Sequence, residues 1–318
     1  MKLKNAIKKT MLVLAAAMLI ASTAGAVSAD EADVSVDTQK ENEAAPEPTR
    51  IPVSESEEDY EELPETFILY LSGIDVWGAL ETQSRSDVNI LVAVNSRTGK
   101  ILLVNTPRDY YVELPISNGM RDKLTHAGIY GPEVSKGALE MLYGVPIDYF
   151  ARLNFSGFEA IIDALGGIDV YSEYDFTVDP IKHYEQGMNH LTGLESLAFV
   201  RERKAFTEGD VQRGKNQMEM VKALITRLGS FEAMKNFDEV YEAVGYFAQT
   251  NMDRNMLFAL AADQILKGRT WDIETAYVTG FGGTEVTYSM PGTAAYVMWP
   301  NEDEVAEVKE KLQAVLEE

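Results

Sequence analysis

The chain has 318 residues and a formal net charge of −23, with 46% hydrophobic residues and no cysteine. This length and apolar content suffice for one large domain or two small ones. The absence of cysteine excludes disulfides, thiol nucleophiles and thiolate metal sites. The acidic balance argues against nucleic-acid binding, because such binding depends on neutralising phosphates.

The first 29 residues have the pattern of an export signal. Four lysines precede an apolar run from Met11 to about Ala21, and the small-residue stretch STAGAVSA follows. The 17 residues from Met11 to Val27 are close to the shortest length that spans a bilayer, about 17 residues. Residues 1–29 are therefore predicted to be either a cleaved signal peptide or an N-terminal membrane anchor.

Residues 30–65 carry fourteen Asp and Glu against two basic residues, a net charge of −12, together with four prolines. Such a segment cannot bury enough apolar surface to offset the entropy of ordering it. We therefore predict an acidic disordered linker over 30–65 and one folded domain over 66–318.

Short apolar runs and helical segments alternate in the folded domain. FILYLSGID is a predicted strand, and VNILVAVN and KILLVNTP flank the turn SRTG in a hairpin pattern. Helical spacing follows in GPEVSKGALEMLYG, SGFEAIIDALGG, GLESLAFVRER and the run from Asp210 to Leu228. Two further helices, the strand-like runs IETAYV and EVTYSM and a charged C-terminal helix complete the chain. This alternation predicts an α/β fold with helices covering a sheet.

Charged side chains collect at the predicted strand ends. If SRTG is a four-residue loop, Asn95 pairs with Lys100 and the ladder places Asp87 opposite Arg108. Arg85 precedes Asp87 by two residues, and Asp75 and Asp109 lie at the ends of the other two strands. Ligands bind at strand ends in open α/β sheets, although a structural ion-pair network would give the same pattern.

Two predicted helices add further cations to this set. Arg201 shares a helical stripe with Leu194, Leu197 and Ala198, so we expect it to point inward. Arg203 can converge with it only if the helix ends there. In the next helix, Arg213 and Gln217 continue the apolar stripe of Val221, Leu224 and Leu228.

An arginine in the first turn of a helix is unfavourable unless an anion binds there. The alternative is that Asp210 caps this helix and pairs with Arg213, a common surface arrangement.

Seven motifs between Phe67 and Leu228 occur in one order: SGID, SRSDVNILVAVN, NTPRDYYVELP, RDKLTHAGIYG, VPIDYFARLNFSGFEAIIDALGGIDV, LTGLESLAFVRERK and GDVQRGKNQ. The set resembles the LytR-CpsA-Psr family of bacterial envelope proteins. The resemblance implies a three-layer α/β/α sandwich with a central mixed sheet and an apolar tunnel for a polyprenyl lipid, lined by helix faces such as Phe158 to Leu165.

The resemblance also implies an activity and its location. The family transfers a glycopolymer, of teichoic acid or capsular polysaccharide type, from a polyprenyl pyrophosphate carrier to the 6-hydroxyl of N-acetylmuramic acid in peptidoglycan. The implied partners are the lipid-linked glycopolymer, peptidoglycan and the membrane surface, without nucleic acid. The implied location is the extracytoplasmic face of the bacterial membrane or the cell wall.

Residue roles follow from the same resemblance. The implied catalytic residues are Asp75, Arg85, Asp87, Arg108 and Arg203. The implied substrate-binding residues are Lys123, Arg201, Arg213 and Gln217, and Asp75 and Asp87 are implied ligands of Mg²⁺ or Mn²⁺. The chain departs from the family pattern at Lys215 to Gln217, where many members have a basic-then-glutamine signal, and in its short N-terminal apolar run.

Two other functions stay open from the sequence. The protein could bind polyprenyl phosphates or wall polymers without catalysis and regulate envelope assembly, or it could be a lipid pyrophosphatase. His126, His183 and His190 lack a paired metal-ligand spacing and are expected to be structural or surface residues. GFGG at 280–283 is predicted to be a turn and not a phosphate loop.

Overall fold

A computed structural model of the chain describes residues 63–77, 83–268 and 270–318, which contain fourteen strands. The strands, in chain order, are β1 (Thr66–Ile74), β2 (Ser86–Asn95), β3 (Lys100–Asn105), β4 (Tyr111–Glu113), β5 (Arg121–Lys123), β6 (Tyr149–Leu153), β7 (Ile168–Ser172), β8 (Phe176–Val178), β9 (Lys182–Tyr184), β10 (Gly187–Leu191), β11 (Ala248–Thr250), β12 (Asp272–Tyr277), β13 (Gly280–Thr287) and β14 (Met290–Pro300).

Six of these strands form the central sheet, in the order β11-β6-β1-β2-β3-β12. β1 is antiparallel to β2 and parallel to β6, and β3 is antiparallel to β2 and parallel to β12. The sheet is therefore mixed, as predicted. The remaining strands form the two-stranded pairs β4/β5, β7/β10, β8/β9 and β13/β14.

Nine α-helices lie in the described part of the chain. They are α1 (Leu124–Ala127), α2 (Pro132–Tyr143), α3 (Phe155–Ala164), α4 (Gly193–Arg201), α5 (Gly209–Leu228), α6 (Phe231–Lys235), α7 (Phe237–Phe247), α8 (Arg254–Lys267) and α9 (Glu302–Glu317). None of these helices has the length and apolar content needed to cross a membrane. The predicted export signal lies outside the described residues.

Successive residues of the central strands pack into two separate hydrophobic cores, one on each face of the sheet, which explains the layered architecture. Because side chains alternate along a strand, Leu91 and Ala93 of β2 face α2 and α9, and Ile90 and Val92 face α5 and α8. Helices therefore cover both faces of the sheet, and the predicted α/β class is confirmed. Leu63, three residues before β1, is also buried in the second core.

The predicted hairpin is confirmed residue by residue. Asn95 pairs with Lys100, and the ladder runs back to Ile90 opposite Asn105. The side chain of Asn95 accepts hydrogen bonds from the backbone amides of Arg97 and Thr98, at 3.1 and 3.0 Å, which stabilises the turn.

The C-terminal region differs from its prediction. GFGG is not a turn, because Gly280–Thr287 forms β13. EVTYSM is not one strand either, since the chain reverses at Tyr288 and Ser289 and continues as β14. The glycines of GFGG allow aromatic side chains of β14 to lie against β13: a Cβ at Gly283 would lie 3.0 Å from the Trp299 ring.

The helix face that the family resemblance assigns to a tunnel lies between two apolar clusters. Ile162 of α3 is buried with β7 and α4, and Ile161 and Leu165 are buried with α6 and α7. The tunnel itself stays a prediction.

Candidate functional site

The predicted site residues lie along one edge of the central sheet, the edge formed by the ends of its strands. Because β2 is antiparallel to both neighbours, the ends of β1 and β3 meet the start of β2 at this edge. Asp75 follows β1, Arg85 precedes β2, and Arg108 follows β3. The carboxyl ends of strands are where open α/β sheets bind ligands.

A bulge places Asp87 at this edge. Gly73 pairs with Val88 and Ile74 pairs with Ser86, so Asp87 is the extra residue between two ladder positions. Bulges redirect a side chain and are common beside active sites. Glycine is required at position 73, because a Cβ there would lie 2.9 Å from two side-chain atoms of Val88.

Asp87 and Arg108 form the ion pair that the hairpin register predicted. Arg108 Nη1 donates to Asp87 Oδ1 at 2.8 Å, and Thr125 Oγ1 donates to the same oxygen at 3.3 Å. Burial alone would lower the pKa of Arg108, but the hydrogen bond and charge of Asp87 outweigh it and raise that pKa. Arg108 is therefore charged at any physiological pH.

Asp109 links Arg108 to Lys123. Lys123 Nζ lies 3.0 Å from Asp109 Oδ1, and Arg108 Nε lies 3.7 Å from Asp109 Oδ2. The Lys123 side chain is only 15% exposed. Asp109 was not among the predicted site residues, although its position directly after Arg108 was a usable signal.

The start of α5 holds a second group of charges. Arg203 Nη1 and Arg213 Nη2 each lie 3.2 Å from Oδ1 of Asp210. Asp210 does not cap α5, because the N-cap is Glu208 and makes no side-chain cap bond. The capping alternative is therefore wrong, whereas the pairing of Asp210 with Arg213 is present. Gly209 allows this arrangement, since a Cβ there would lie 2.6 Å from the Arg203 carbonyl oxygen.

The two groups of charges act on each other. Burial lowers the pKa of Arg213, and the positive charges of Arg203 and Arg108 lower it further against the opposing effects of Asp210 and Asp87. The Arg213 side chain is 20% exposed. A partly buried arginine whose charge is disfavoured by neighbouring arginines is a position that an anionic ligand would stabilise.

Arg201 does not point inward as the helical stripe predicted. Its side chain is 50% exposed, and Leu194 on the same stripe is 51% exposed. The guanidinium lies 4.2 Å from the Phe155 ring centroid, and Nη2 lies 3.9 Å from Asp75 Oδ1. α4 does end at Arg201, as convergence required. Even so, Arg201 and Arg203 contact different carboxylates.

The polar residues of α5 beyond Arg213 hold α5 against the last turn of α4. Gln217 Nε2 donates to the Val200 carbonyl and Asn216 Nδ2 to the Phe199 carbonyl, each at 3.4 Å. Asn216 also accepts a 3.0 Å bond from the buried Gln212. The helical stripe did not indicate this buried amide pair.

Two further arginines lie near these strand ends, Arg85 on the surface and Arg152 in the interior. Among the described residues, Arg85 is exposed and lies outside the ion pairs above. Arg152 of β6 is fully buried, and its Nη2 donates to the Ser84 carbonyl at 2.8 Å. Burial lowers the pKa of Arg152. Arg152 therefore fixes the segment that leads to Arg85 and Asp87. In the sequence, the only indication of this structural role is the position of Arg152 within an apolar run.

A divalent cation fits the two predicted ligands only together with a phosphate. The described residues contain no cluster of three or more His, Asp or Glu arranged to hold a metal. Asp75 and Asp87 each lie one residue from the paired Ile74 and Ser86. Mg²⁺ is commonly held by one or two carboxylates plus substrate phosphates, so this donor set suits such a site.

His126 does not form a Ser-His-Asp triad with its described partners. Nδ1 of His126 lies 2.7 Å from Asp122 Oδ1 and 2.8 Å from Ser289 Oγ, so both partners share one ring nitrogen. A Ser-His-Asp triad needs the two ring nitrogens for separate partners. His183 and His190 are exposed on β9 and β10. The expectation of structural and surface histidines is confirmed.

The sequence is similar to that of known proteins. The LytR_cpsA_psr family model matches residues 25–314. Polyisoprenyl-teichoic acid--peptidoglycan teichoic acid transferase TagU from Bacillus mycoides is 34% identical over 191 residues, which cover 60% of this chain and 62% of that protein. The match thus spans less than two thirds of the length of this relative.

Solved structures share the fold. Bacillus subtilis TagV is 28% identical with a TM-score of 0.65, covering 79% of this chain and 97% of TagV. TagT bound to LI-WTA is 27% identical with a TM-score of 0.63, covering 82% of this chain and 94% of TagT. Since the family model matches most of the chain, the protein belongs to the LytR_cpsA_psr family, as its motifs predicted.

Proposed function

We propose that the protein is a phosphotransferase that moves a glycopolymer of teichoic acid type from a polyprenyl pyrophosphate carrier to peptidoglycan. The observation that carries the proposal is the pair of arginines, Arg203 and Arg213, that share Asp210 at the N-terminus of α5 beside Arg108. Phosphoryl transfer depends on positioning and charge stabilisation, which guanidinium groups supply. The TagU relative, named as a teichoic acid transferase, and TagT bound to LI-WTA support the same substrate class.

In this mechanism the pyrophosphate replaces Asp210 as the partner of Arg203 and Arg213. Asp210 is 72% exposed, so its carboxylate can turn into solvent at little cost. The guanidiniums then donate to the phosphate oxygens, and the unpaired amides at the start of α5 add a favourable partial charge. Arg108, held by Asp87, completes the set of donors from the β3 side.

The acceptor hydroxyl needs a base, and the two carboxylates differ in access. Asp87 Oδ1 already accepts from Arg108 and Thr125, and its side chain is 22% exposed. Asp75 is 57% exposed, with one long contact to Arg201. We therefore assign Asp75 as the base that takes the proton from the 6-hydroxyl of N-acetylmuramic acid.

The deprotonated sugar oxygen bonds to the phosphorus that carries the glycopolymer, and the bond from that phosphorus to the bridging oxygen breaks. The products are a phosphodiester between polymer and peptidoglycan and a polyprenyl monophosphate, which leaves with the bridging oxygen. A bound Mg²⁺ or Mn²⁺ would neutralise charge on the phosphates, with Asp87 and one oxygen of Asp75 as its protein ligands and the other Asp75 oxygen left as the base.

The lipid and the cellular location belong to the same proposal. The polyprenyl tail requires an apolar passage, and we assign one wall of it to residues 158–165, at the end of α3, which contribute to two apolar clusters. A lipid-linked donor and a wall acceptor place the protein at the extracytoplasmic membrane surface, reached through the predicted signal or anchor over residues 1–29.

The test uses the full chain with a lipid pyrophosphate-linked oligosaccharide, Mg²⁺ and peptidoglycan oligomers. We expect a phosphodiester-linked product, and we expect Arg203→Ala to lower its rate of formation at least about 100-fold, the scale of losing a transition-state donor. Arg254→Ala, which removes a half-buried arginine paired with Asp238, serves as the control. Release of polyprenyl phosphate that does not require the acceptor would identify a pyrophosphatase, and binding without turnover would refute the transferase.

A further inference from the structure

The hairpin of β13 and β14 presents an exposed face that no step of the proposed transfer uses. Thr284 pairs with Tyr296 and Val286 pairs with Ala294, so these side chains share one face, which continues to Gly282. Five residues of this face are exposed, namely Gly282, Thr284, Val286, Ala294 and Tyr296, whereas Met298, which pairs with Gly282, is half-buried against the first core. We call the five exposed residues the hairpin face.

Tyr296 is the centre of the hairpin face. A Cβ at Gly282 would lie 3.1 Å from Cε2 and 3.3 Å from Oη of Tyr296, so the ring lies against the glycine of the neighbouring strand. The residue is nevertheless 52% exposed. One side of a flat aromatic ring is therefore supported by backbone while much of the ring stays open to solvent.

The opposite face holds the hairpin in place. Trp299 contacts the Tyr111 ring edge-on at 4.9 Å, and the Arg121 guanidinium lies 5.3 Å from the Trp299 ring centroid. Tyr111 Oη donates to the Val286 carbonyl at 2.8 Å. The hairpin face is thus presented on a fixed support instead of a loose loop.

The hairpin face adjoins the charged residues Lys123, Asp109 and Arg108. Lys123 Nζ lies 5.8 Å from the Tyr296 ring centroid and 3.0 Å from Asp109, the carboxylate that also contacts Arg108. The backbone amide of Met298 donates to the Asp109 carbonyl at 2.8 Å. Any molecule stacked on Tyr296 would therefore lie next to the group that binds the phosphates.

Charge identifies the class of ligand. Residues 280–300 contain no lysine or arginine and one carboxylate, Glu285. Lys123, which lies beside Tyr296, is already paired with Asp109, so the hairpin face offers little free positive charge to a phosphate-rich polymer. The weakly positive C–H face of a sugar ring, in contrast, stacks on the negative face of an aromatic ring. Exposed apolar surface next to a site commonly marks a binding surface.

We propose that the hairpin face binds the glycan strand of the acceptor, stacking a neutral N-acetylated sugar on Tyr296 beside the sugar whose hydroxyl reacts. The inference rests on the proposed function for the identity of the acceptor. A solely structural role, in which Tyr296 shields Gly282, requires no ligand and makes a different prediction for binding.

The binding test uses the full chain without donor and a tetrasaccharide of alternating N-acetylglucosamine and N-acetylmuramic acid, titrated by calorimetry. We expect Tyr296→Ala to weaken binding at least tenfold and Tyr296→Phe to change it less than threefold. Thr284→Arg, which places a bulky cation opposite Tyr296 on the same exposed face, should weaken binding at least fivefold. Tyr171→Ala, an exposed tyrosine on β7, should leave it unchanged.

Two results would overturn the inference. Unchanged tetrasaccharide binding by both Tyr296→Ala and Thr284→Arg would exclude the hairpin face as the glycan site, with thermal unfolding used to check that both variants fold. Tighter binding of a poly(glycerol phosphate) oligomer by Thr284→Arg, with weaker binding by Tyr296→Ala, would assign the face to the donor polymer.

The proposed function fails separately from this inference. If the wild-type chain transfers nothing but binds the tetrasaccharide through Tyr296, the transferase proposal fails and the glycan site stands. If the chain transfers polymer with unchanged acceptor KM in Tyr296→Ala, the glycan site fails and the transferase stands.

Discussion

Asp210 is predicted to compete with the phosphate ligand, and Asp210→Asn tests this directly. Both Arg203 and Arg213 lie 3.2 Å from the same oxygen of Asp210. The substitution keeps the shape of the side chain but removes the charge that a pyrophosphate would have to displace. We therefore expect the variant to bind inorganic pyrophosphate more tightly than the wild-type chain.

The size of the expected gain in pyrophosphate affinity follows from how exposed the Asp210 ion pairs are. Exposed ion pairs contribute up to about 1 kcal/mol each, and Asp210 is 72% exposed, with Arg203 48% exposed. After this discount we assign about 1 kcal/mol to the two contacts together, which corresponds to about fivefold in the dissociation constant of pyrophosphate. For the same reason the free energy of unfolding should change by less than about 1 kcal/mol.

The assay is calorimetric titration with pyrophosphate at two salt concentrations. The gain in pyrophosphate affinity should be smaller at high salt, because salt screens the exposed charge of Asp210 whose removal causes the gain. Asp238→Asn is a matched control, since Asp238 is 71% exposed and pairs with Arg254 at 2.7 Å. Weaker pyrophosphate binding by Asp210→Asn would refute the reasoning and would mean that Asp210 holds the two arginines in their binding positions.

Two further predictions concern the supports of the site. The buried carboxyl of Asp122 pays a desolvation cost that raises its pKa, but hydrogen bonds from His126 and Ser289 lower that pKa overall. This stabilisation is present above the unfolded pKa of Asp, about 3.9, and is lost as pH falls through the folded value. Asp122→Asn should therefore lower the free energy of unfolding in urea by about 1–3 kcal/mol at pH 7, with a smaller difference below about pH 4. Gly73→Ala should distort the bulge at Asp87 through its 2.9 Å approach to Val88, lowering transfer activity, and activity equal to wild type would contradict this role of the bulge.

The hairpin pattern in the sequence correctly predicted the part of the site that lies at the ends of β2 and β3. The four-residue turn fixed the register of β2 and β3, and the register alone placed Asp87 near Arg108, where they form a 2.8 Å ion pair. A ladder transmits position over many residues because its side-chain period is strictly two. The bulge at Asp87 was not predicted, since it depends on the contact between Gly73 and Val88.

Helix orientation was predicted less well, for a different physical reason. Leu197 and Ala198 of the predicted stripe on α4 are buried, but Leu194 and Arg201 at its two ends are exposed. Packing against neighbouring elements instead buries Ser196 and Phe199 beside Leu197 and Ala198. Similarly, the glycines of β13 resemble a turn in sequence but serve to admit the rings of Tyr296 and Trp299. Both outcomes depend on long-range partners that spacing does not contain.

The charge balance of the site explains why an acidic chain can gather so many cations. Apart from Arg85, the cations of the site are paired with carboxylates, which offsets the repulsion among the cations: Arg108 with Asp87, Lys123 with Asp109, Arg201 with Asp75, and Arg203 and Arg213 with Asp210.

Five cations against four carboxylates leave this set with little net positive charge, so a singly charged anion gains little by displacing a carboxylate. A pyrophosphate diester carries two charges and can engage several guanidiniums at once, which favours it over simpler anions. The same count is the reason for including a divalent cation in the proposed function. With Mg²⁺ on Asp87 and Asp75, the two charges of the metal would neutralise these two carboxylates, so the site would present a larger net positive charge to the doubly charged pyrophosphate. Pyrophosphate binding should therefore tighten when Mg²⁺ is added, and Asp87→Asn should remove most of that gain.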